Sequence, residues 1–248
     1  MALQPIYQFY AELTDYKPKI WRRFQVLGNI TMAHLGYILM TLFEMQASHL
    51  FCFDVPVLEP LKPDSIDKPK KSKPSEEQGE QWIYRYEILY EDDPIYYQNN
   101  RRGFDATKVK MKDVFREPEQ KATFIYDYGD YWEVDLILEK IIMDKEISRK
   151  DLPRVLEGQG YGIIEDCGGP YGLTQLAKAF KQKKGSEYQD MREWLGIDDL
   201  DLKSFDMDDM NFRLKRIPRI YRDIYEYNQS PSPYSINLLE RRYLKKKE

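Results

Sequence analysis

Four carboxylates stand at two places where turns would present them. Asp127 and Asp130 bracket Tyr128-Gly129 within FIYDYGDYWEVDLILE, residues 124–139, and Glu165-Asp166 precede Cys167-Gly168-Gly169-Pro170. Oxygen ligands of this kind suit magnesium (Mg) or manganese (Mn). An ion held by Asp127, Asp130, Glu165 and Asp166 would activate water for attack on a phosphodiester. The competing account is non-catalytic and needs no cofactor. In it Arg22 and Arg23 pair with these carboxylates, and Tyr128, Tyr131, Trp132 and Tyr171 line a polar aromatic cleft for an unknown protein or small ligand.

Other chemistries find less support. The two histidines, His34 and His49, make no HExxH pattern and no Cys/His spacing for zinc. Cys167 sits beside Glu165 and Asp166, which raise a thiol pKa rather than lower it, so a structural cysteine is expected. Gly158, Gly160 and Gly162 alternate without the strand–GxGxxG–helix context of a dinucleotide loop, and the two acids that follow would repel a phosphate. No GxxxxGK[ST] and no GxSxG occurs.

The elements that must position these groups follow from periodicity. Residues 122–126 read as a strand, Asp127 to Asp130 as a turn, and 131–142 as a second strand. Trp132, Val134, Leu136 and Leu138 then share one face, with Glu133, Asp135 and Ile137 on the other. Residues 7–14 and 20–27 read as two further strands. Arg22 falls on the face of Ile20, Phe24 and Val26, so its charge needs a partner, and a hairpin carboxylate is the expected one. Thr31 occupies an N-cap position before Leu35, Ile38, Leu39, Leu42 and Phe43, the stripe of an amphipathic helix. Strands are expected at 49–55 and 81–90, a short helix at 108–115, a loop at 148–164, and helices at 171–180 and 188–195. Pro218 should break or kink whatever helix surrounds it.

The 248 residues carry a formal net charge of −4, which gives no general attraction to nucleic acid. The exception is Phe212 to Arg222, where Arg213, Lys215, Arg216, Arg219 and Arg222 occur with no acid between them. That segment either contacts nucleic acid through phosphates or folds back on the acidic run from Asp198 to Asp209. Residues 59–80 are rich in Pro, Lys, Ser and Glu and read as a flexible surface insertion. Two cysteines without CxxC spacing suit a reducing cytoplasm. No apolar run approaches the ~20 residues needed to span a bilayer, so no membrane partner is expected. The N-terminus shows no secretory pattern.

Four stretches in order resemble the plasmid pRiA4b ORF-3-like family, also found as passenger genes of insertion elements. They are Lys17-Pro18-Lys19-Ile20-Trp21-Arg22-Arg23, the 31–43 helix with His49-Leu50 after it, Tyr126-Asp127-Tyr128-Gly129-Asp130-Tyr131-Trp132, and Glu165-Asp166-Cys167-Gly168-Gly169-Pro170-Tyr171-Gly172. The resemblance implies an α+β domain, a largely antiparallel sheet with helices packed on it, over residues 1–205. A helical basic C-terminal extension, 206–248, follows. It implies a mobile-element setting and no assigned activity. Where the family usually has Trp-x-His in the hairpin, this chain has Trp132-Glu133-Val134.

Overall fold

The computed structural model describes residues 4–60, 79–90, 97, 98 and 100–239. Its centre is a nine-stranded sheet: β1 (Ile6–Leu13), β2 (Trp21–Leu27), β3 (Phe51–Pro60), β4 (Gly79–Glu87), β5 (Tyr97–Gln98), β6 (Arg101–Asp105), β7 (Lys121–Tyr126), β8 (Trp132–Ile142) and β9 (Arg154–Gln159). The spatial order is β5-β6-β4-β3-β7-β8-β1-β2-β9, and among the described residues only the β4–β6 pair is parallel. The sheet is therefore largely antiparallel, as the resemblance implies.

Alternation along the strands decides the two faces. Phe9, Ala11, Phe24, Phe53, Phe124, Val134, Leu136 and Leu138 are buried in one core with the helices. The opposite face carries Tyr10, Glu12, Arg23, Asp54, Asp135 and Glu139, which pair among themselves and with their neighbours. Helix α1 (Met32–Leu42) begins where the sequence predicts, with the Thr31 hydroxyl accepting the His34 N–H at 3.1 Å. Helix α2 (Met111–Val114) is a single turn within the expected 108–115 region. Helices α3 (Gly169–Gln182) and α4 (Ser186–Leu195) follow β9, and Gly196 closes α4 in the left-handed conformation.

The C-terminal extension is helical: α5 (Met207–Leu214), α6 (Ile217–Tyr227) and α7 (Pro233–Leu239). Pro218 stands just after a break in the helical run rather than at a kink: α5 ends at Leu214 and α6 starts at Ile217. The proline lies in the first turn of α6, where its missing N–H has no helical acceptor to lose. Helix α6 packs on α1, and α5 packs on β9. No helix among the described residues is long and apolar enough to cross a membrane.

Two expectations shift. Residues 154–159 form an edge strand rather than part of a loop. Gly158 permits this, because a Cβ there would lie 2.8 Å from the Phe205 ring and 2.9 Å from Arg22 Cδ. The unpaired edge is covered at Val155, whose N–H donates to Asn211 Oδ1 at 2.8 Å and whose carbonyl accepts from Asn211 Nδ2 at 3.2 Å. Most of the expected 59–80 insertion lies outside the described residues. Its ends belong to β3 and β4, which pair with Pro60 opposite Gly79. Residues 240–248 of the expected C-terminal extension also lie outside them.

Candidate functional site

The β7–β8 turn is built by Asp127. Its backbone is left-handed (φ 58°), its Oδ1 accepts the Gly129 N–H at 2.9 Å, and its carbonyl accepts the Tyr131 N–H at 2.7 Å. Asp and Asn tolerate that conformation because a short polar side chain can bond its own turn. The Asp127 N–H donates to the Leu50 carbonyl, which ties the turn to the loop before β3. On the other side Asp130 Oδ2 accepts the Gly168 N–H at 3.1 Å, placing a carboxylate at the start of α3. Gly169 (φ +67°) is required there, since a Cβ would stand 2.6 Å from the Asp130 carbonyl. The two motifs quoted for the resemblance, 126–132 and 165–172, thus close against each other.

At this seam lies His49, which the sequence left outside the candidate set. Its Nδ1 is 3.5 Å from Asp127 Oδ1, and its Nε2 is 3.5 Å from Asp166 Oδ1 and 3.8 Å from Glu165 Oε2. Its ring meets Tyr126 edge to face at 5.8 Å. Glu165 is a hub for the segment leading to His49. Oε1 accepts the Gln46 N–H and the Tyr126 hydroxyl (2.6 Å), and Oε2 accepts the Ser48 hydroxyl. The Tyr126 hydroxyl also accepts the Ser48 N–H at 3.2 Å. Burial first, then the Glu165 charge, raises the Tyr126 pKa, so the phenol stays a donor at neutral pH. The sole sequence signal for His49 is its place in the His49-Leu50 motif.

The structure brings Asp127, Asp130, Glu165 and Asp166 to this seam and takes other candidates elsewhere. Arg22 is fully buried, and the expected hairpin carboxylate is not what saturates it. Its Nε donates to the Leu42 carbonyl, Nη1 to Trp21 and Gln159, and Nη2 to Gly160 and Tyr161, at 2.7–3.0 Å. Main-chain oxygens therefore occupy all five N–H donors of a guanidinium. Phe205 lies against the group, 4.0 Å from Cζ to the ring centroid. Arg23 points to the opposite sheet face and holds Glu139 through Nε (2.8 Å) and Nη2 (2.9 Å), with Glu157 on Nη1. Trp132 is buried at 1% exposure and belongs to the core rather than to a cleft.

The three candidate tyrosines lie on the surface: Tyr128 (45% exposed), Tyr131 (50%) and Tyr171 (75%). The Tyr128 hydroxyl reaches Glu87 Oε2 at 3.3 Å. Beside it, Leu50, Phe51, Glu87, Ile88, Tyr128 and Tyr225 line a pocket with ≈ 220 Å³ of empty space, part of it open to solvent.

Nucleophile and metal chemistry gain nothing from the geometry. Burial first, then Asp130 and Asp166, pushes the Cys167 thiol up to about 12, and burial pushes Cys52 up to about 12. Among the described residues no group of three or more His, Cys, Asp or Glu side chains is arranged to hold a metal ion. In the basic segment, Arg213 is buried against Glu44 Oε2 (3.1 Å) and the Leu238 carbonyl (2.7 Å). Lys215 donates to the Lys150 carbonyl, Arg216 lies over Phe212, and Arg222 is 3.3 Å from Asp223.

A family model described as plasmid pRiA4b ORF-3-like protein matches residues 5–212. The chain is 26% identical over 108 residues to an uncharacterized protein, y4hQ, of Sinorhizobium fredii; that alignment spans 43% of this chain and 54% of the relative, about half its length. It also superposes on the crystal structure of a protein of unknown function, MM3350, from Methanosarcina mazei Go1, with a TM-score of 0.63 and 25% identity. That match covers 84% of this chain and 98% of the other.

Proposed function

Since the chain belongs to the plasmid pRiA4b ORF-3-like family, we propose that it is a non-catalytic binding module whose contact face is the seam between the β7–β8 turn and the Glu165–Tyr171 segment. The observation that carries this reading is the division of labour at the seam. Glu165, Asp130 and Asp127 are engaged with main-chain and hydroxyl donors, while Tyr128, Tyr131 and Tyr171 keep their rings in solvent. Carboxylates used this way position backbone. They are not poised to exchange protons with a substrate. Exposed tyrosines offer large rigid contact area at small entropic cost. With Asp130 and Asp166 beside them, they suit a partner that carries cationic and apolar groups.

The test is titration of the full chain with an arginine-rich peptide, followed by amide chemical shifts. Shifts at residues 128–131, 166 and 171, abolished in Tyr171→Ala and Asp166→Ala, are the expected outcome. Turnover of a phosphodiester with magnesium or manganese, lost in a folded Asp130→Ala variant, would overturn the proposal in favour of a hydrolase. Binding of single-stranded DNA that weakens in Lys215→Ala/Arg216→Ala/Arg219→Ala and not in Tyr171→Ala would move the function to the basic segment, with the steep salt dependence of phosphate contacts.

A further inference from the structure

The segment that carries His49 is gripped from beyond the family match. Between α1 and β3 the chain turns through Glu44 and Ala47, at φ 63° and 62°. It continues neither element, so tertiary bonds must set its shape. Within the matched residues, Glu165 and Tyr126 take the Gln46 and Ser48 N–H groups. From α6, outside the match, the Tyr221 hydroxyl donates to the Met45 carbonyl and the Tyr225 hydroxyl to the His49 carbonyl. From the end of α5, Arg213 Nη2 holds Glu44 Oε2.

Each of these three side chains is buried. Tyr225 is stacked on Tyr37 (ring centroids 5.7 Å apart) and edge-on to Phe51 (5.4 Å), so its hydroxyl cannot swing away without unpacking the ring. Burial raises the pKa of Tyr221 and Tyr225 above the ordinary phenol value, which keeps both as donors at neutral pH.

We propose that α6 is a clamp that sets the position of His49 among its carboxylates, with Tyr221 and Tyr225 as its positioning residues and Arg213 as its anchor. The clamp grips main-chain oxygens at residues 45 and 49, the two ends of the segment whose middle is bonded to Glu165 and Tyr126. Moving either end displaces the imidazole relative to Asp127 and Asp166. The coupling is reciprocal: a partner that binds at the seam tightens α6, and a contact that lifts α6 loosens the seam. The idea rests on the same face as the proposed function, but its test needs no ligand.

That test uses the full chain with Tyr221→Phe, Tyr225→Phe and the double variant, which keep the rings and delete only the hydroxyls. Hydrogen exchange at the Gln46 and Ser48 amides should accelerate about fivefold per hydroxyl removed, the change expected for one lost hydrogen bond. Amides of Phe9 and Leu136 should keep their wild-type rates, and the His49 ring resonances should shift in the same variants. Unchanged exchange at 46 and 48, or uniform acceleration that includes the core strands, overturns the clamp. So does selective acceleration with the His49 resonances unmoved, since the imidazole would then be positioned by something else. Peptide binding enters none of these readouts, so failure of the binding proposal leaves this result distinguishable.

Discussion

Replacing Arg22 by methionine isolates what the buried guanidinium contributes. Methionine keeps an unbranched apolar stem of similar reach and removes every donor. Three of the five acceptors, the carbonyls of Leu42, Gly160 and Tyr161, bond Arg22 in buried positions, while Trp21 and Gln159 are closer to water. Leaving one buried acceptor unsatisfied costs ~1–3 kcal/mol. The three losses do not add in full, because the chain relaxes and water enters, so about 3–5 kcal/mol is expected, toward the low end of their sum. Set against a typical domain stability of ~5–15 kcal/mol, that leaves a folded but weakened protein. For a chain of this size the melting temperature should fall by roughly 6–20 °C. Urea unfolding by circular dichroism, with Arg22→Lys alongside, is the assay. Lysine keeps the charge with three donors in place of five and should fall between the other two. A methionine variant within about 1 kcal/mol of wild type would refute the reasoning, since the carbonyls would then have no need of the guanidinium.

Three further outcomes follow from other positions. Burial first, then the Arg222 charge, lowers the His34 pKa from its ordinary 6.5 to about 4. The unfolded chain therefore binds a proton below pH 6.5 that the folded chain refuses. Stability is full above that pH and falls as the pH drops toward 4, by about 2 kcal/mol between pH 7 and 5. His34→Gln should remove that much of the slope in urea titrations at the two pH values, and an unchanged slope would contradict the assignment. Gly169→Ala meets both the positive φ and the Asp130 carbonyl 2.6 Å from the new Cβ. A loss of ~1–3 kcal/mol is expected, read by thermal melting, together with movement of the 128–131 amides; a neutral substitution would mean the turn is not seated on α3. Asn211→Leu strips the cover from the Val155 N–H and carbonyl at the sheet edge. Faster exchange at the Val155 amide and concentration-dependent association by light scattering should follow; a monomer with wild-type exchange would argue that α5 alone protects the edge.

Much of the scaffold was legible in the sequence because it depends on local rules. Alternation in 132–138 put Trp132, Val134, Leu136 and Leu138 on the buried face, where they are found. Thr31 announced the start of α1. The same alternation placed Arg22 among apolar neighbours and required a partner for it. The partner itself was not legible, because main-chain carbonyls exist at every residue and leave no mark in the residue types. Strand β9 was hidden for a related reason. Its Gly158, with Gly160 just beyond, argues against a strand locally, and what holds it there is pairing with β2, the Phe205 contact and the amide of Asn211.

The candidate site divides along the same line. The motifs at 126–132 and 165–172 pointed to the carboxylates, and the structure sets Asp127, Glu165 and Asp166 around His49 and Asp130 on the Gly168 N–H. Whether a given side chain at that seam faces solvent, core or backbone depended on contacts between segments far apart in the chain. Trp132 went to the core and Arg23 to the opposite face, while His49 arrived from a loop whose bonds come from residues 126, 165, 221 and 225. Periodicity and turn chemistry act over a few residues and are written into residue types. Partner choice across 78 to 176 residues is set by which donors and acceptors the packed sheet and helices leave within reach, and that only the tertiary structure decides.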